Sequence, residues 1–491
     1  MAKQTSPFAL MLPPREPGTP ATRWLYSALR QGILEGRLRP GARMPATRDL
    51  ASHYRLSRGT VVAAFDQLKS EGYLEARVGS GTNVATVLPD WLLKVDRPAR
   101  SRAPAAATQG HPRRLSDFGR RVRRFGDMEG GAARAFRANR PALDLFPTTL
   151  WAQVAARRLR RASMDLLLGC GPMGYQPLQE AVAEYLTTSR GVRCVAEQVA
   201  IVSGMQQALD LVARLFLNPG DRVAIENPGY VGAELVLEGY GVTIAPVPLD
   251  EEGVTLDALK GARLLYVTPA HQFPLGVSMS LPRRLALLEW ARTSGAMILE
   301  DDYDSEYRFS GRPLPALQGL DRHGQVLFAG SFGKVLFPSL RLGYLVVPMD
   351  LVERITATRS VLDRHAPLLE QAVLTDFITG GHFGRHIRRM RQIYAERHAV
   401  LLECAAADLM GLLEVSPVEA GLQTVGWLRD GIEGEAAAKA AAARGVEVTP
   451  VSRYHRGPMT REGLVLGFSA VDTGEIRRGV RDLATALREM E

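Results

Sequence analysis

The sequence predicts a multidomain protein. A small three-helix unit closed by a two-stranded wing is followed by a basic linker, then by a larger α/β domain with a mostly parallel, seven-stranded sheet and a smaller C-terminal α/β lobe. Three observations predict it. Residues 20–71 carry helical apolar spacing with cap and stop residues, residues 88–140 shift to Pro, Ala, Arg and Gly, and beyond residue 165 short apolar runs alternate with helical segments.

The front unit is expected over residues 15–87. Trp24, Leu25, Ala28, Leu29 and Ile33 recur at helical spacing and Gly36 follows as a stop. Thr47 is expected to cap a short helix through His53, and Ser57 a longer one ending at Glu71 and Gly72. Tyr73 to Arg77 and Thr82 to Val87 are two strands around Gly79-Ser80-Gly81. Two helices joined by so tight a turn have the lengths of a helix-turn-helix, whose second helix enters the major groove of DNA by its N-terminus. Ser57, Arg58 and Thr60 then face the DNA, with Arg48 and the glycine-rich wing tip, Gly79 included, reaching phosphates. Read in isolation, the same residues also suit a helical cap domain in which Ser57 and Thr47 only cap helices.

Charge is unevenly divided. Residues 1–90 carry a net +5, residues 91–140 a net +9 and the remainder a net −5, which together make the +9 of the chain. A basic front on a slightly acidic body suits a phosphate-backbone partner, and equally a solvated positive surface. The stretch RPARSRAPAAATQGHPRR is too poor in bulky apolar residues to form a core, so residues 88–140 are expected to be a flexible linker. No apolar run has bilayer-spanning length, and Cys170, Cys194 and Cys404 lack metal-ligand spacing. The expectation is a cytoplasmic protein with neither a disulfide framework nor a metal site.

In the third region, residues 141–491, strand-like runs fall at Val199 to Val202, Arg222 to Ile225, Leu264 to Val267, Ala296 to Leu299, Val326 to Phe328 and Leu342 to Val347. A polar cluster follows each of the first five: Ser203-Gly204-Met205-Gln206, Asn227-Pro228-Gly229-Tyr230, Thr268-Pro269-Ala270-His271-Gln272, Glu300-Asp301-Asp302-Tyr303-Asp304 and Ser331-Phe332-Gly333-Lys334. Ligands of open α/β sheets bind outside the carboxyl ends of the strands, so these loops are expected to share one site. Lys334 is an amine placed for Schiff-base chemistry. GSFGKV is not a Walker loop, since Val335 stands where Ser or Thr must hold magnesium. The Ser331-x-x-Lys334 spacing also lacks the companion motifs of serine acylases. Asp301 suits the pyridinium nitrogen of pyridoxal phosphate, and Tyr303 its phenolic oxygen. Tyr230 suits a ring face, while Ser203-Gly204 at a helix start and Arg341 suit the phosphate.

Two resemblances sharpen this. The run ILEGRLRPGARMPATRDLASHYRLSRGTVVAAFDQLKSEGYLEARVGSGTNV resembles the winged helix-turn-helix of the GntR family. That implies Arg48 and Arg58 as principal DNA contacts, assisted by Ser57, Thr60 and Gly79. The phrases SGMQQALDL, ENPGYVGA, TPAHQFPLGVSM, ILEDDYDSEYRF and GSFGKVLFPSLRLGY resemble fold-type I aminotransferases. Together the two halves resemble the MocR/GabR subfamily of regulators. The resemblance implies pyridoxal 5'-phosphate held as an internal aldimine by Lys334, with Asp301 on the pyridine nitrogen and Tyr303 and His271 near the ring oxygen. It implies Tyr230 stacked on the ring and Ser203, Gly204, Met205, Ser331 and Arg341 around the phosphate. It also implies a homodimer, arranged head to tail. Gly333 stands where that family has serine and Cys170 where it has tyrosine, and both departures thin the phosphate cup.

Arg453 is a candidate grip for an effector carboxylate, or a surface arginine. The function expected is a transcription regulator sensing a small amine or amino acid. The alternatives are an active aminotransferase carrying a DNA-binding domain, and a DNA binder that has lost its cofactor.

Overall fold

The protein is described from a computed structural model that covers residues 12–77, 81–88, 113–124, 134–311 and 315–490. It divides into two compact units, Met1–Pro112 and Arg113–Glu491.

In the first unit α1 (Ala21–Leu34), α2 (Thr47–His53) and α3 (Arg58–Ser70) precede the antiparallel pair β1 (Leu74–Arg77) and β2 (Gly81–Val84). Their apolar stripes form one core of Leu25, Leu29, Ile33, Leu50, Val61, Phe65, Leu68 and Val84. Ser57 caps α3 as expected, its Oγ accepting from Thr60 N at 3.1 Å. Thr47 does not cap α2: the cap position is Ala46, with no side-chain hydrogen bond, and Thr47 is already the first helical residue. The turn between α2 and α3 closes through Arg55 at φ +52°. The second wing strand ends at Val84 rather than Val87, and Met44 N adds a bond to Thr82 O at 2.8 Å.

The second unit is built on the sheet β3 (Val199–Val202), β4 (Arg222–Asn227), β5 (Thr243–Asp250), β6 (Gly253–Val254), β7 (Leu264–Val267), β8 (Met297–Asp302), β9 (Val326–Ser331) and β10 (Gly343–Val346). The spatial order is β3-β10-β9-β8-β7-β4-β5-β6. Strands β4, β5, β7, β8 and β9 are mutually parallel, and β10 is antiparallel to both β9 and β3. Seven full strands are present, and β6 is a two-residue return against β5. The run TIAPVPLD of β5 escapes a sequence reading because Pro246 and Pro248 argue against a strand. It lies outermost but for β6, where prolines can turn their missing N–H away from the neighbouring ladder.

Helices cover both faces. α4 (Met205–Phe216) and α5 (Val231–Gly239) contribute Ala208, Leu209, Val212, Ala233 and Leu237 to the core on one face, while α6 (Leu281–Ser294) contributes Leu287 and Ala291 on the other. The smaller lobe is an antiparallel sheet of β11 (Leu413–Val415), β12 (Gln423–Leu428), β13 (Thr449–Pro450) and β14 (Gly463–Gly467), in the order β11-β12-β14-β13. It packs with α7 (His382–Asp408), α8 (Gly434–Ala443) and α9 (Thr473–Arg488) through Leu401, Ala437, Leu464 and Leu483.

The stretch read as linker is not uniform. Residues Asp117–Arg121 form a short helix capped by Ser116, and Ala135 and Phe136 are fully buried in the second unit's core. Phe136 O accepts from Gly467 N at 2.9 Å, so the chain joins the lobe before residue 141. Arginine-rich composition hid these two apolar anchors.

Candidate functional site

The five polar clusters share an edge because of strand direction. β4, β7, β8 and β9 point the same way, and β3 does too, being antiparallel to β10, which is antiparallel to β9. Lys334 lies on the single helical turn Phe332–Val335 that follows β9, rather than on a loop. Its Nζ donates to Asn139 O at 3.1 Å. Burial and then the charge of Arg140 lower its pKa to about 8, against the opposing pull of Asp304 and Asp301. Half of such an amine is neutral at mildly alkaline pH and able to attack a carbonyl.

Asp301 is placed by β8 in the sheet interior and is 5% exposed. Tyr266 OH, on the adjacent strand β7, donates to its Oδ2 at 2.5 Å. The other oxygen, Oδ1, is buried without a partner among the described residues. Burial raises the carboxyl pKa to about 7; the Tyr266 hydrogen bond works against this, and the neighbouring acids Asp302, Asp304 and Glu226 add to it. A buried carboxylate with one open oxygen calls for a cationic N–H donor.

Tyr230 is the N-cap residue of α5 and leans on Tyr266 (6.4 Å between centroids, 31°) and on Phe273 (6.1 Å, 85°). Tyr303 OH faces His271 Nδ1 at 3.0 Å, and the same nitrogen meets Asp304 Oδ1 at 3.0 Å. His271 thus orients Tyr303 in a chain with Asp304, and its Nε2 has no partner among the described residues.

At the far end Gly204 (φ +116°) starts α4, and a Cβ there would sit 3.7 Å from the Arg341 guanidinium. Gly343 sits where a Cβ would be 3.3 Å from Gly204 Cα and 3.6 Å from Ser331 Cα. Gly204, Ser331 and Arg341 therefore come together at a helix N-terminus, whose amides and dipole favour an anion, and Ser203 and Met205 flank Gly204 in the chain. Ser203 Oγ meets Gln207 Oε1 at 3.0 Å, and Ser331 Oγ accepts from Gly333 N at 3.2 Å. Arg341 holds a left-handed backbone, φ +49°.

An amine, an open carboxylate oxygen, an aromatic face and an anion cup along one strand edge fit pyridoxal phosphate: aldehyde, ring nitrogen, ring and phosphate each meet a group of the right chemistry. The strongest evidence for the fit is the orphaned Asp301 Oδ1, which no described residue satisfies.

Three residues that sequence reasoning missed belong to this arrangement. Tyr266 reads as a core residue of an apolar strand, and Asn139 falls in what composition assigns to a linker. Asp304 reads only as part of an acidic run. Arg453, by contrast, is exposed and bidentate to Glu435 at 2.6 and 2.7 Å, a surface ion pair rather than a residue of this site. The departure at Gly333 is sterically open: a Cβ would lie 3.4 Å from Ser331 Oγ and 3.6 Å from Pro338 Cα. Cys170 is half-buried, and burial raises its thiol pKa.

In the first unit Arg48, Ser57 and Arg58 are exposed and Thr60 is half-buried, so the N-terminal turns of α2 and α3 present them. Gly79 lies outside the described residues.

Residues 137–483 match the family of aminotransferases class I and II, and residues 22–84 match the bacterial regulatory proteins of the gntR family. The chain is 40% identical over 481 residues to the probable rhizopine catabolism regulatory protein MocR of Rhizobium meliloti, covering 97% of this chain and 96% of that one. It is 33% identical over 472 residues to the uncharacterized HTH-type transcriptional regulator YhdI of Bacillus subtilis, covering 95% and 96%. Among solved structures, the α-aminoadipate aminotransferase LysN of Thermus thermophilus aligns with a TM-score of 0.69 and 29% identity, over 77% of this chain and 97% of its own. The larger unit accordingly has the fold-type I architecture, with pyridoxal phosphate as its cofactor. Full-length similarity joins the two halves, and the chain belongs to the MocR type of gntR-family regulators, a winged helix-turn-helix fused to an aminotransferase-like domain.

Proposed function

We propose that this chain is a DNA-binding transcription regulator that uses its pyridoxal phosphate site to sense a small amine or amino acid. Pyridoxal phosphate, when bound, supplies an aldehyde that amines attack and a ring that withdraws electrons. Lys334 provides the resident amine, held by Asn139 O and kept partly neutral by burial and Arg140. Asp301 Oδ1 balances the charge of a protonated ring nitrogen. Tyr230 covers a ring face, and Tyr303, oriented by His271 and Asp304, serves the ring oxygen. The phosphate falls to Ser203, Gly204, Met205, Ser331 and Arg341. On the DNA side, Ser57, Arg58 and Thr60 meet the major groove and Arg48 the backbone.

The observation that carries the reading is the intact Lys334–Asp301 pair in a chain that also bears a gntR-type domain. An effector that occupies the site beside Lys334 would change the affinity for DNA only if it favours one conformation of the domain over another. The regulator works as a cytoplasmic homodimer in this reading. No helix among the described residues is long and apolar enough to cross a membrane. Met164, Leu167, Leu168, Val361 and Leu362 are exposed apolar residues, of the kind a second copy covers.

Absorbance in the near-ultraviolet and visible range, followed as amines are added, tests the site, and binding to the chain's own promoter with and without the amine tests the regulation. An amine-dependent shift in both supports the proposal. Steady turnover with a keto-acid acceptor and no change in DNA binding would replace it with an aminotransferase.

A further inference from the structure

The helix α5, whose N-cap is Tyr230 at the cofactor site, is clasped at its other end by the short helix Asp117–Arg121 and the residues after it. Phe118 meets Tyr240, just past the end of α5, edge to face at 5.3 Å. A Cβ on Gly239 would lie 3.0 Å from Phe118 and 3.1 Å from Val122, so this glycine is the seat of the clasp. Tyr240 in turn bonds Asp210 of α4. Arg123 then pairs with Glu238 of α5.

Glu238 has a second cation. Arg456, in the small-lobe loop after Tyr454, pairs with both Glu234 and Glu238. That loop is tied to the cofactor edge: Asn227 at the end of β4 accepts from Arg456 N at 2.8 Å and donates to Arg456 O at 3.1 Å, and Gly229 N donates to Tyr454 O at 2.9 Å. Tyr454 packs on Phe273, 5.0 Å between centroids, and Phe273 packs on Tyr230. Four charges, Arg123, Glu238, Arg456 and Glu234, therefore form one row running from the segment that leads towards the DNA-binding unit to the loop flanking the cofactor site.

We infer that Glu238 is a relay residue: it is shared between Arg123 of the clasp and Arg456 of the loop, so that the position of one sets the hold on the other. The sign follows from charge. With Arg456 in place, two carboxylates face two guanidinium groups. If the loop withdraws Arg456, Glu238 keeps Arg123 as its remaining cation of the row and the clasp tightens. Ligands that move the loop thereby change how firmly residues 113–124 are held, and reciprocity requires the clasp to bias the loop. Its regulatory use rests on the function proposed above, whereas the charge relay is a property of this unit by itself.

Amide hydrogen exchange of residues 113–124 in the full-length, cofactor-loaded protein tests it. Arg123→Ala and Glu238→Gln are expected to speed exchange there about two- to fivefold, the range of a partly exposed ion pair, and Arg456→Ala to slow it. In the Glu238→Gln background the effect of Arg456→Ala should vanish. An unchanged clasp in Arg456→Ala, or an equal effect of Arg456→Ala with and without Glu238, overturns the relay. Cofactor absorbance and thermal midpoint check folding, and Arg456→Lys, which keeps the charge, should behave like the wild type. For regulation the probe is pyridoxal phosphate itself. If loading changes the DNA affinity of the wild type, Glu238→Gln should abolish most of that change, and its survival overturns the regulatory use. If the wild type shows no change, the regulator reading fails while the exchange data still decide the relay.

Discussion

The hydroxyl of Tyr266 donates a 2.5 Å hydrogen bond to Asp301 Oδ2, while Asp301 Oδ1 is buried without a hydrogen-bond partner among the described residues. In the proposed reading, this bond leaves Oδ1 as the oxygen available to the cofactor ring. Tyr266→Phe removes the donor, costs about 1–3 kcal/mol locally by leaving Oδ2 buried and unpaired, and frees the carboxyl to rotate. Pyridoxal phosphate affinity is expected to fall about tenfold, and Asp301→Asn to weaken it further. Titration of the apo protein by absorbance measures both.

Lys334 gives a pH prediction whose sign can be worked out. Its folded pKa is about 8 against an ordinary 10.5. Below about 8 the amine is protonated in both states, and the fold bears the full penalty of burying the charge. Between 8 and 10.5 the unfolded chain binds the extra proton, so folding stability rises with pH; above 10.5 the penalty is gone. The apo wild type should therefore gain stability relative to Lys334→Met as pH rises from about 8 to 10, by denaturant melts at each pH. Capture of pyridoxal phosphate should likewise quicken from pH 7 to 9 as the neutral amine forms. A flat difference across this window would mean the amine is not desolvated.

The sequence disclosed the clusters that follow the strands because each combines polar chemistry with an abrupt end to an apolar run. Lys334, Asp301 and Tyr230 were singled out on that ground, and Arg341 only as a nearby positive charge. Tyr266 was not, since a tyrosine inside LLYV looks like packing until the neighbouring strand places Asp301 beside it. Asn139 was hidden by an arginine-rich stretch that Ala135 and Phe136 anchor. β5 was hidden by its two prolines, and the two readings of Arg453 stayed open because nothing in a linear motif reveals that Glu435 will meet it. Contacts between distant segments are what the sequence leaves out.

Gly333 offers a gain-of-binding test. A Cβ at this position meets only ordinary contacts at 3.4 Å or more, and φ there is not in the left-handed region. Gly333→Ser should fold normally, restore a hydroxyl beside Ser331, and tighten pyridoxal phosphate by about 1 kcal/mol, or roughly fivefold. Dialysis against cofactor-free buffer, with retention of absorbance as the readout, decides it.

The N-terminal turn of α3 separates contact from scaffold. Ser57 accepts from Thr60 N at 3.1 Å, so Ser57→Ala costs helix stability, about 1 kcal/mol. Arg58 is exposed and begins the same helix, so Arg58→Ala should leave the melting midpoint unchanged. Its effect should fall on DNA instead: affinity for the promoter drops about tenfold, and the slope of log affinity against log salt shrinks by about 1 if the lost contact is a phosphate. A slope that stays constant while affinity drops for one operator sequence only would assign Arg58 to a base edge. Equal affinity in wild type and variant would remove Arg58 from the interface, and Arg48→Ala, measured in the same titration, then shows whether α2 carries the contact.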